Sequence, residues 1–144
     1  MSAKPELDIQ QVSKLSGVPS STIRYYEEKG LIKPIGRKGL TRIFKANVVE
    51  KLSVISLAQF GGFSLDEIRL LLESGFNTEI DRSQLLEKAG EIEKSIALLS
   101  VIVDTLRHVA HCPNNNQFDC PKFQNLLKKA IRLQHQGVKK MKFK

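Results

Sequence analysis

Eight apolar residues between positions 85 and 110 follow one another at alternating steps of four and three residues. This heptad spacing places them on one narrow stripe of a long α-helix, with charged residues on its flanks. A helix that packs only on its own domain is the alternative, and it carries a broader apolar face. The spacing therefore predicts a coiled coil, parallel or antiparallel, with this seam: Leu85, Ala89, Ile92, Ile96, Leu99, Val103, Leu106 and Ala110.

Two short helices joined by a tight turn are predicted for the start of the chain. Apolar residues at three-residue steps from Ile9 indicate a first helix that ends near Gly17. Ser20 is a good N-cap for a second helix over residues 20–29, and Gly30 suits its C-terminal end. The second helix carries hydroxyl, arginine and tyrosine side chains. This arrangement matches the helix-turn-helix of DNA-binding proteins.

A basic hairpin is predicted after the second helix. Gly36 and Gly39 bracket Arg37-Lys38, and the residues up to Phe44 alternate as in a strand. We interpret this segment as a wing whose tip carries cations.

The rest of the chain is predicted to be helical. Gly61-Gly62 ends one helix near Phe60, and Ser64 forms a capping box with Glu67 for the next helix, through Leu72. Asp81 with Gln84 is the expected cap of the long helix, and Pro121 starts a short amphipathic helix. In the helix that ends near Phe60, the residues available for burial are Val48, Val49, Leu52, Ile55 and Leu57.

The positive charge is concentrated at the two ends of the chain. The net charge is +8, and residues 1–45 contribute +5 from nine basic and four acidic residues. Such clusters are typical of nucleic-acid binding, although a solvated basic face without function is the alternative. A further +4 comes from a C-terminal tail with four lysines, Lys139, Lys140, Lys142 and Lys144.

Several classes of protein are not expected. There is no stretch of 18 apolar residues, so we expect a soluble, cytoplasmic protein without a membrane partner. Only two cysteines are present, which makes a structural disulfide the less expected use of them. No nucleophile–base pair, glycine-rich phosphate loop or HExxH pattern points to an enzyme.

The chain resembles the MerR family of bacterial transcription regulators. The resemblance rests on residues 20–32, which include Arg-Tyr-Tyr-Glu-Glu-Lys-Gly-Leu, on the wing from Gly36 to Phe44, and on residues 61–68. It implies a mainly α fold with a winged helix-turn-helix domain at 1–76, a dimerisation helix at 77–111, and an effector loop, short helix and tail at 112–144. The dimerisation helix would form an antiparallel coiled coil.

The resemblance also implies how the protein would work. The homodimer would bind a palindromic double-stranded promoter and activate it by distorting the DNA, so that RNA polymerase is engaged indirectly. Base-edge and phosphate contacts are expected at the start of the second helix, and backbone contacts at Tyr25 and the wing. The expected DNA-binding residues are Ser20, Ser21, Thr22, Arg24, Tyr25, Arg37, Lys38 and Arg42.

The segment after the long helix resembles the effector loop of copper-responsive members of the family. It reads Cys-Pro, five residues, then Asp-Cys-Pro, and the resemblance makes Cys112 and Cys120 metal ligands. Cys120 also precedes a helix, whose N-terminus stabilises a thiolate. His108 shares a helix face with Cys112, so we expect a site of His108, Cys112 and Cys120. His111 adjoins Cys112 and is a further candidate ligand.

The ion and the signal stay open at this stage. A mixed nitrogen and sulfur set suits Zn(II) or Ni(II), whereas two thiolates alone suit Cu(I). Family sensors of divalent ions usually carry a third cysteine at the start of the long helix, where this chain has Asn77, Thr78 and Glu79. The absence of this cysteine favours a monovalent ion, unless the histidines compensate for it. Either histidine, as an alternative, is a surface residue near a helix end. The cysteines could instead sense oxidants or electrophiles, or they could be inert apolar residues. A third alternative is a protein that binds DNA without any effector.

Overall fold

The computed structural model describes residues 6–138, and the lysines of the C-terminal tail lie outside the described residues. The chain divides into one unit that reaches to Asp81 and a second that starts at Arg82. The described part is mainly helical, as the sequence predicts, with one small sheet. Within residues 6–138, no helix is both long enough and apolar enough to cross a membrane.

The first unit begins with a helix-turn-helix. Its elements are strand β1 (Glu6–Asp8), helix α1 (Ile9–Ser16) and helix α2 (Ser20–Glu28). A capping box between Asp8 and Gln11 starts α1, and Gly17 ends it with a φ of +76°. The N-cap of α2 is Pro19, so the prediction that Ser20 caps this helix is wrong. Gly30 follows α2 with a φ of +78°, which confirms its predicted place.

The predicted wing is part of a three-stranded antiparallel sheet. Strand β2 (Gly36–Lys38) and strand β3 (Thr41–Lys45) form the hairpin, and β1 pairs with the other edge of β3. Strand β1 was not predicted, because its three residues are too few to show the alternation of a strand. Phe44 is completely buried, whereas Leu40 in the turn is 91% exposed. The hairpin thus anchors in the core at one end and reaches into solvent at the other.

Helices α3 (Val48–Phe60) and α4 (Leu65–Ser74) complete the core of the first unit. The capping box of Ser64 and Glu67 is present, and α4 extends two residues beyond the predicted end. Leu57 is 74% exposed, so its predicted burial is wrong; it lies off the helix face that Leu52 and Ile55 bury. The buried core residues are Ile9, Val12, Ile23, Tyr26, Leu31, Ile32, Phe44, Val48, Leu52, Ile55 and Ile68.

Helix α5 (Glu79–His111) is the long predicted helix, with 33 residues. Its capping box is formed by Thr78 and Asp81, whose side chains each accept a hydrogen bond from the other residue's backbone N–H. The expected cap of Asp81 with Gln84 is therefore wrong, because the helix starts one turn earlier. The hydroxyl of Ser74 donates to the Asp81 carboxylate, and this bond lowers the pKa of Asp81.

Two faces of α5 differ in burial. Helix α6 (Pro121–Gln134) runs back along one face, since His108 contacts Cys120 near one end and Lys94 contacts the Gln136 carbonyl near the other. Ser95 and Val101 are the buried residues of α5 beyond its first turn. Of the predicted seam, Leu85, Ile92 and Leu99 are partly buried in the single chain. The exposed large residues of the seam are Ile96 (59%), Val103 (43%) and Leu106 (65%).

Candidate nucleic-acid interface and metal site

Helix α2 buries one face and exposes another. Ile23 and Tyr26 point into the core, and the Tyr26 hydroxyl donates to the Gln59 amide oxygen at 2.8 Å. Burial raises the pKa of Tyr26, with a smaller contribution from Tyr25, so its hydroxyl stays a neutral donor. Tyr26 therefore belongs to the core.

The exposed face of α2 carries most of the predicted DNA-binding residues of this helix. Ser21, Arg24 and Tyr25 are three and four positions apart and all exposed, while Ser20 and Thr22 are partly buried. The Lys29 ammonium lies 5.5 Å from the centre of the Tyr25 ring. This cation–π contact adds a positive charge beside Tyr25. Lys29 was not among the predicted residues, although its i+4 spacing from Tyr25 was visible.

The cations of the wing occupy two environments. Arg37 and Lys38 are exposed on β2, next to the turn. Arg42 is partly buried on β3, opposite Arg37, and its Nε lies 2.6 Å and 3.1 Å from the two carboxylate oxygens of Glu27. This ion pair joins the wing to α2, so Arg42 has a role in positioning the two elements. Glu27 was not predicted to take part, because nothing local links residues 15 positions apart.

Three of the four predicted metal ligands converge in the second unit. His108 Nε2 lies 3.2 Å from Cys120 Sγ, and the sulfurs of Cys112 and Cys120 are 3.8 Å apart. All three ligand atoms lie within 4.8 Å of one another, and both cysteines are free thiols. Cys120 is buried, while His108 and Cys112 are partly buried. His111, in contrast, is exposed and not part of this cluster.

Local structure fixes each member of the cluster. His108 and Cys112 lie one turn apart at the end of α5, and the Cys112 N–H donates to the His108 carbonyl at 2.8 Å. The loop returns through a 3₁₀ turn (Gln117–Asp119), in which the Phe118 N–H donates to the Asn116 side chain. Cys120 is the N-cap of α6, with Pro121 as the first helical residue, as the sequence predicts.

The surroundings of Cys120 favour its thiolate. The backbone N–H of Phe123 is the largest influence, and His108, the backbone of Lys122 and Cys112 act in the same direction. Burial opposes them, but the pKa of Cys120 still falls from 9.0 to about 6. A thiolate with an imidazole and a second thiol beside it is a donor set that fits a soft or borderline metal ion.

The lowered pKa predicts a pH dependence in the metal-free protein. Thiolate absorbance in the ultraviolet should show one group that ionises with a midpoint near pH 6. Cys120→Ser should remove this transition, whereas Cys112→Ser should leave a transition of the same amplitude. The pKa of Cys120 is lower in the folded protein than in the unfolded chain. The thiolate's contribution to the unfolding free energy should therefore grow from about pH 6 to about pH 9, and it should be lost as the pH falls through about 6. A thiolate signal that appears only above pH 8 would contradict this.

A cleft of about 570 Å³ opens beside the cluster. His111 lines it together with His108, Cys112, Arg107 and Lys122. The cleft gives an ion a route from solvent to His108 and Cys112.

Comparison with known proteins gives consistent matches. A model of the MerR HTH family of regulatory proteins matches residues 7–75, and a second family model, MerR, DNA binding, matches residues 49–109. The HTH-type transcriptional regulator HmrR of Sinorhizobium medicae is 36% identical over 129 residues, which cover 85% of this chain and 87% of that protein. These relatives are transcription regulators, a class that is not enzymatic.

Other relatives match over a similar length. Heavy metal-dependent transcription regulator 1 of Rhizobium meliloti is 34% identical, over 86% of this chain and 89% of its own. The HTH-type transcriptional regulator CueR of Salmonella typhi is 32% identical, over 83% and 91%. The fold is similar to the crystal structure of HiNmlR, a MerR family regulator lacking the sensor domain, bound to promoter DNA. That match has a TM-score of 0.64 at 22% identity, and it covers 74% of this chain and 88% of the other.

Proposed function

The chain belongs to the MerR family of transcription regulators, and we propose that it activates a palindromic promoter as a homodimer when a metal ion binds at Cys112 and Cys120. The observation that carries the proposal is the convergence of His108, Cys112 and Cys120 at the end of α5. The similarity to heavy metal-dependent transcription regulator 1 of Rhizobium meliloti, which extends over most of both chains, supports the same function. The ligands are drawn from the two cysteines, His108 and His111, and the ion from Cu(I), Zn(II) and Ni(II).

The first unit is the output of this switch. Ser20, Ser21, Thr22, Arg24 and Tyr25 meet the DNA from α2, with base contacts expected from its exposed N-terminal half. Arg37 and Lys38 contact phosphates from the wing. Arg42 contacts the DNA backbone through its terminal nitrogens, because its Nε–H donates a hydrogen bond to the Glu27 carboxylate.

The second unit provides both the dimer contact and the input. Large apolar side chains on the seam of α5 are exposed in the single chain, including Leu106 at 65%. A second copy of the helix would bury them, and two identical heads would then favour a palindromic site. The metal ligands lie at the end of the same helix. Ion binding between α5 and α6 can therefore alter the dimer, and through it the spacing of the heads on a distorted promoter.

Arg37→Ala should weaken binding to every DNA sequence alike, because an exposed cation on the wing positions the protein on phosphates. The slope of log affinity against log salt should become shallower by about one for each phosphate that is no longer neutralised. Titration of a labelled duplex at several salt concentrations measures both. Arg24→Ala is the comparison, and it should shift sequence preference by about 1–3 kcal/mol. Altered preference with unchanged non-specific affinity in Arg37→Ala would refute its assignment.

The regulatory proposal is tested by transcription in vitro. Genomic fragments that the purified protein retains supply the promoter, and run-off transcription is measured with Cu(I), Zn(II) or Ni(II), with and without a chelator. We expect one ion to raise the transcript, the chelator to reverse the effect, and Cys112→Ser with Cys120→Ser to abolish it. If the double variant responds as the original protein does, the regulator acts without this site.

The 3.8 Å between the two sulfurs also favours a second candidate, a thiol-based redox sensor. Hydrogen peroxide would oxidise one thiolate to a sulfenate, and the second thiol would displace water to form a disulfide. Peroxide would then replace the ion as the activator in the same transcription assay, and a chelator would have no effect.

A further inference from the structure

The distances between the ligand atoms of the three converging side chains indicate which coordination geometry these side chains suit. For metal–sulfur bonds of about 2.3 Å, two thiolates lie about 4.6 Å apart in a linear site, about 3.8 Å in a tetrahedral site and about 3.3 Å at a right angle. The sulfurs of Cys112 and Cys120 are 3.8 Å apart. The two sulfurs therefore stand at the separation that a tetrahedral ion requires.

His108 takes the position of a third ligand in the same arrangement. A tetrahedral ion holds an imidazole nitrogen and a thiolate about 3.6 Å apart, given metal–nitrogen bonds of about 2.0–2.1 Å. Nε2 of His108 and Sγ of Cys120 are 3.2 Å apart, and all three ligand atoms lie within 4.8 Å of one another. Adjustments on the order of one ångström would therefore bring the three atoms to the distances that an ion requires. The histidine is held there by α5, one turn before Cys112.

His111 does not share this position, although it is adjacent to Cys112 in sequence. It is exposed on α5, whereas His108 lies on the face toward α6. The two histidines thus form a natural pair for comparison, with the same side chain on the same helix turn. Both line the cleft beside the cluster, so a change at either affects the cleft to a similar extent.

We infer that His108 is a ligand and His111 is not, which makes the cluster a bent two-sulfur, one-nitrogen site whose donor set suits a divalent ion of the zinc class. This inference rests on the proposed metal response and specifies its ion. Imidazole with thiolate is a donor set that zinc favours, and it leaves the fourth position to a small ligand from the cleft.

The test compares metal affinities in the reduced, full-length protein. Zn(II) and Cu(I) are each titrated against competing chelators for the original protein, His108→Leu and the matched control His111→Leu. His108→Leu should lower Zn(II) affinity by at least about 100-fold, because even the outer-shell partners of metal ligands are worth about 10–100-fold. Its Cu(I) affinity should fall less than about 10-fold, and His111→Leu should change neither.

Spectroscopy of the original protein provides a second measurement that does not depend on a variant. Co(II) in place of Zn(II) should give the intense visible bands of a tetrahedral site, and X-ray absorption at the zinc edge should show one imidazole beside two sulfurs. Equal Zn(II) affinities in the two histidine variants, or a zinc site without an imidazole ligand, would overturn the inference. The proposed function would still stand in that case, provided that metal binding depends on the cysteines. Binding that survives Cys112→Ser with Cys120→Ser would overturn both.

Discussion

Ile96→Glu is expected to prevent the proposed homodimer from forming. The side chain lies in the middle of the α5 seam and is 59% exposed in the single chain, so the substitution should leave the protomer folded. In the proposed dimer, each protomer would lose about 1–2 kcal/mol of apolar burial, because the side chain is already partly covered, and would place a carboxylate in the interface at a cost of several kcal/mol. We expect the dimer dissociation constant to rise by at least about four orders of magnitude.

Ala97→Glu is the matched control for this change. It adds the same charge at the next residue, which is also exposed but lies off the seam. Sedimentation velocity should find this variant dimeric and Ile96→Glu monomeric. Affinity for a two-half-site duplex should fall by about 10²–10⁴ in Ile96→Glu only, because the second head no longer binds at high effective concentration. A dimeric Ile96→Glu protein would mean that another surface joins the protomers.

Phe44→Ala is expected to cost about 3–5 kcal/mol of unfolding free energy in the first unit, as removal of a buried phenylalanine usually does. Phe44 on β3 is completely buried and pairs with Leu7 on β1. A loss of this size is a large part of the roughly 5–15 kcal/mol that holds an ordinary domain folded. DNA binding should weaken accordingly.

Urea denaturation followed by tyrosine fluorescence measures this loss in the first unit alone. The chain has two tyrosines and no tryptophan, and both tyrosines, Tyr25 and Tyr26, lie in α2. Leu40→Ala is the control in the same hairpin, and at 91% exposed it should change stability by less than about 0.5 kcal/mol. Equal effects of the two substitutions would show that the hairpin is not anchored through Phe44.

Local patterns were enough to predict most of the elements. The four-and-three spacing predicts α5 because a long helix repeats its face every seven residues, and the glycines at 17 and 30 mark helix ends because both adopt positive φ. Helix caps were less predictable. Ser20 is followed by a suitable helix, but Pro19 already fixes the extended backbone before it, and Thr78 rather than Asp81 starts α5.

Features that depend on distant parts of the chain could not be predicted. Strand β1 forms only because β3 offers it an open edge, and Arg42 meets Glu27 only after the wing folds over α2. The candidate metal site shows the same division. The sequence pointed to both cysteines and to His108, which shares a helix face with Cys112, and it kept His111 as a further candidate. Cys120 reaches His108 only because the loop after α5 folds back toward that helix before α6 begins. His111 stays exposed to solvent.

The central claim is that Cys112 and Cys120 hold the metal ion to which the DNA-binding head responds. The most direct test is metal analysis of the protein purified without oxygen, after loading with Cu(I), Zn(II) or Ni(II) and gel filtration. We predict one tightly held ion per chain in the original protein and none in the variant with Cys112→Ser and Cys120→Ser. Failure to retain any of the three ions, or equal retention by the double variant, would contradict the claim.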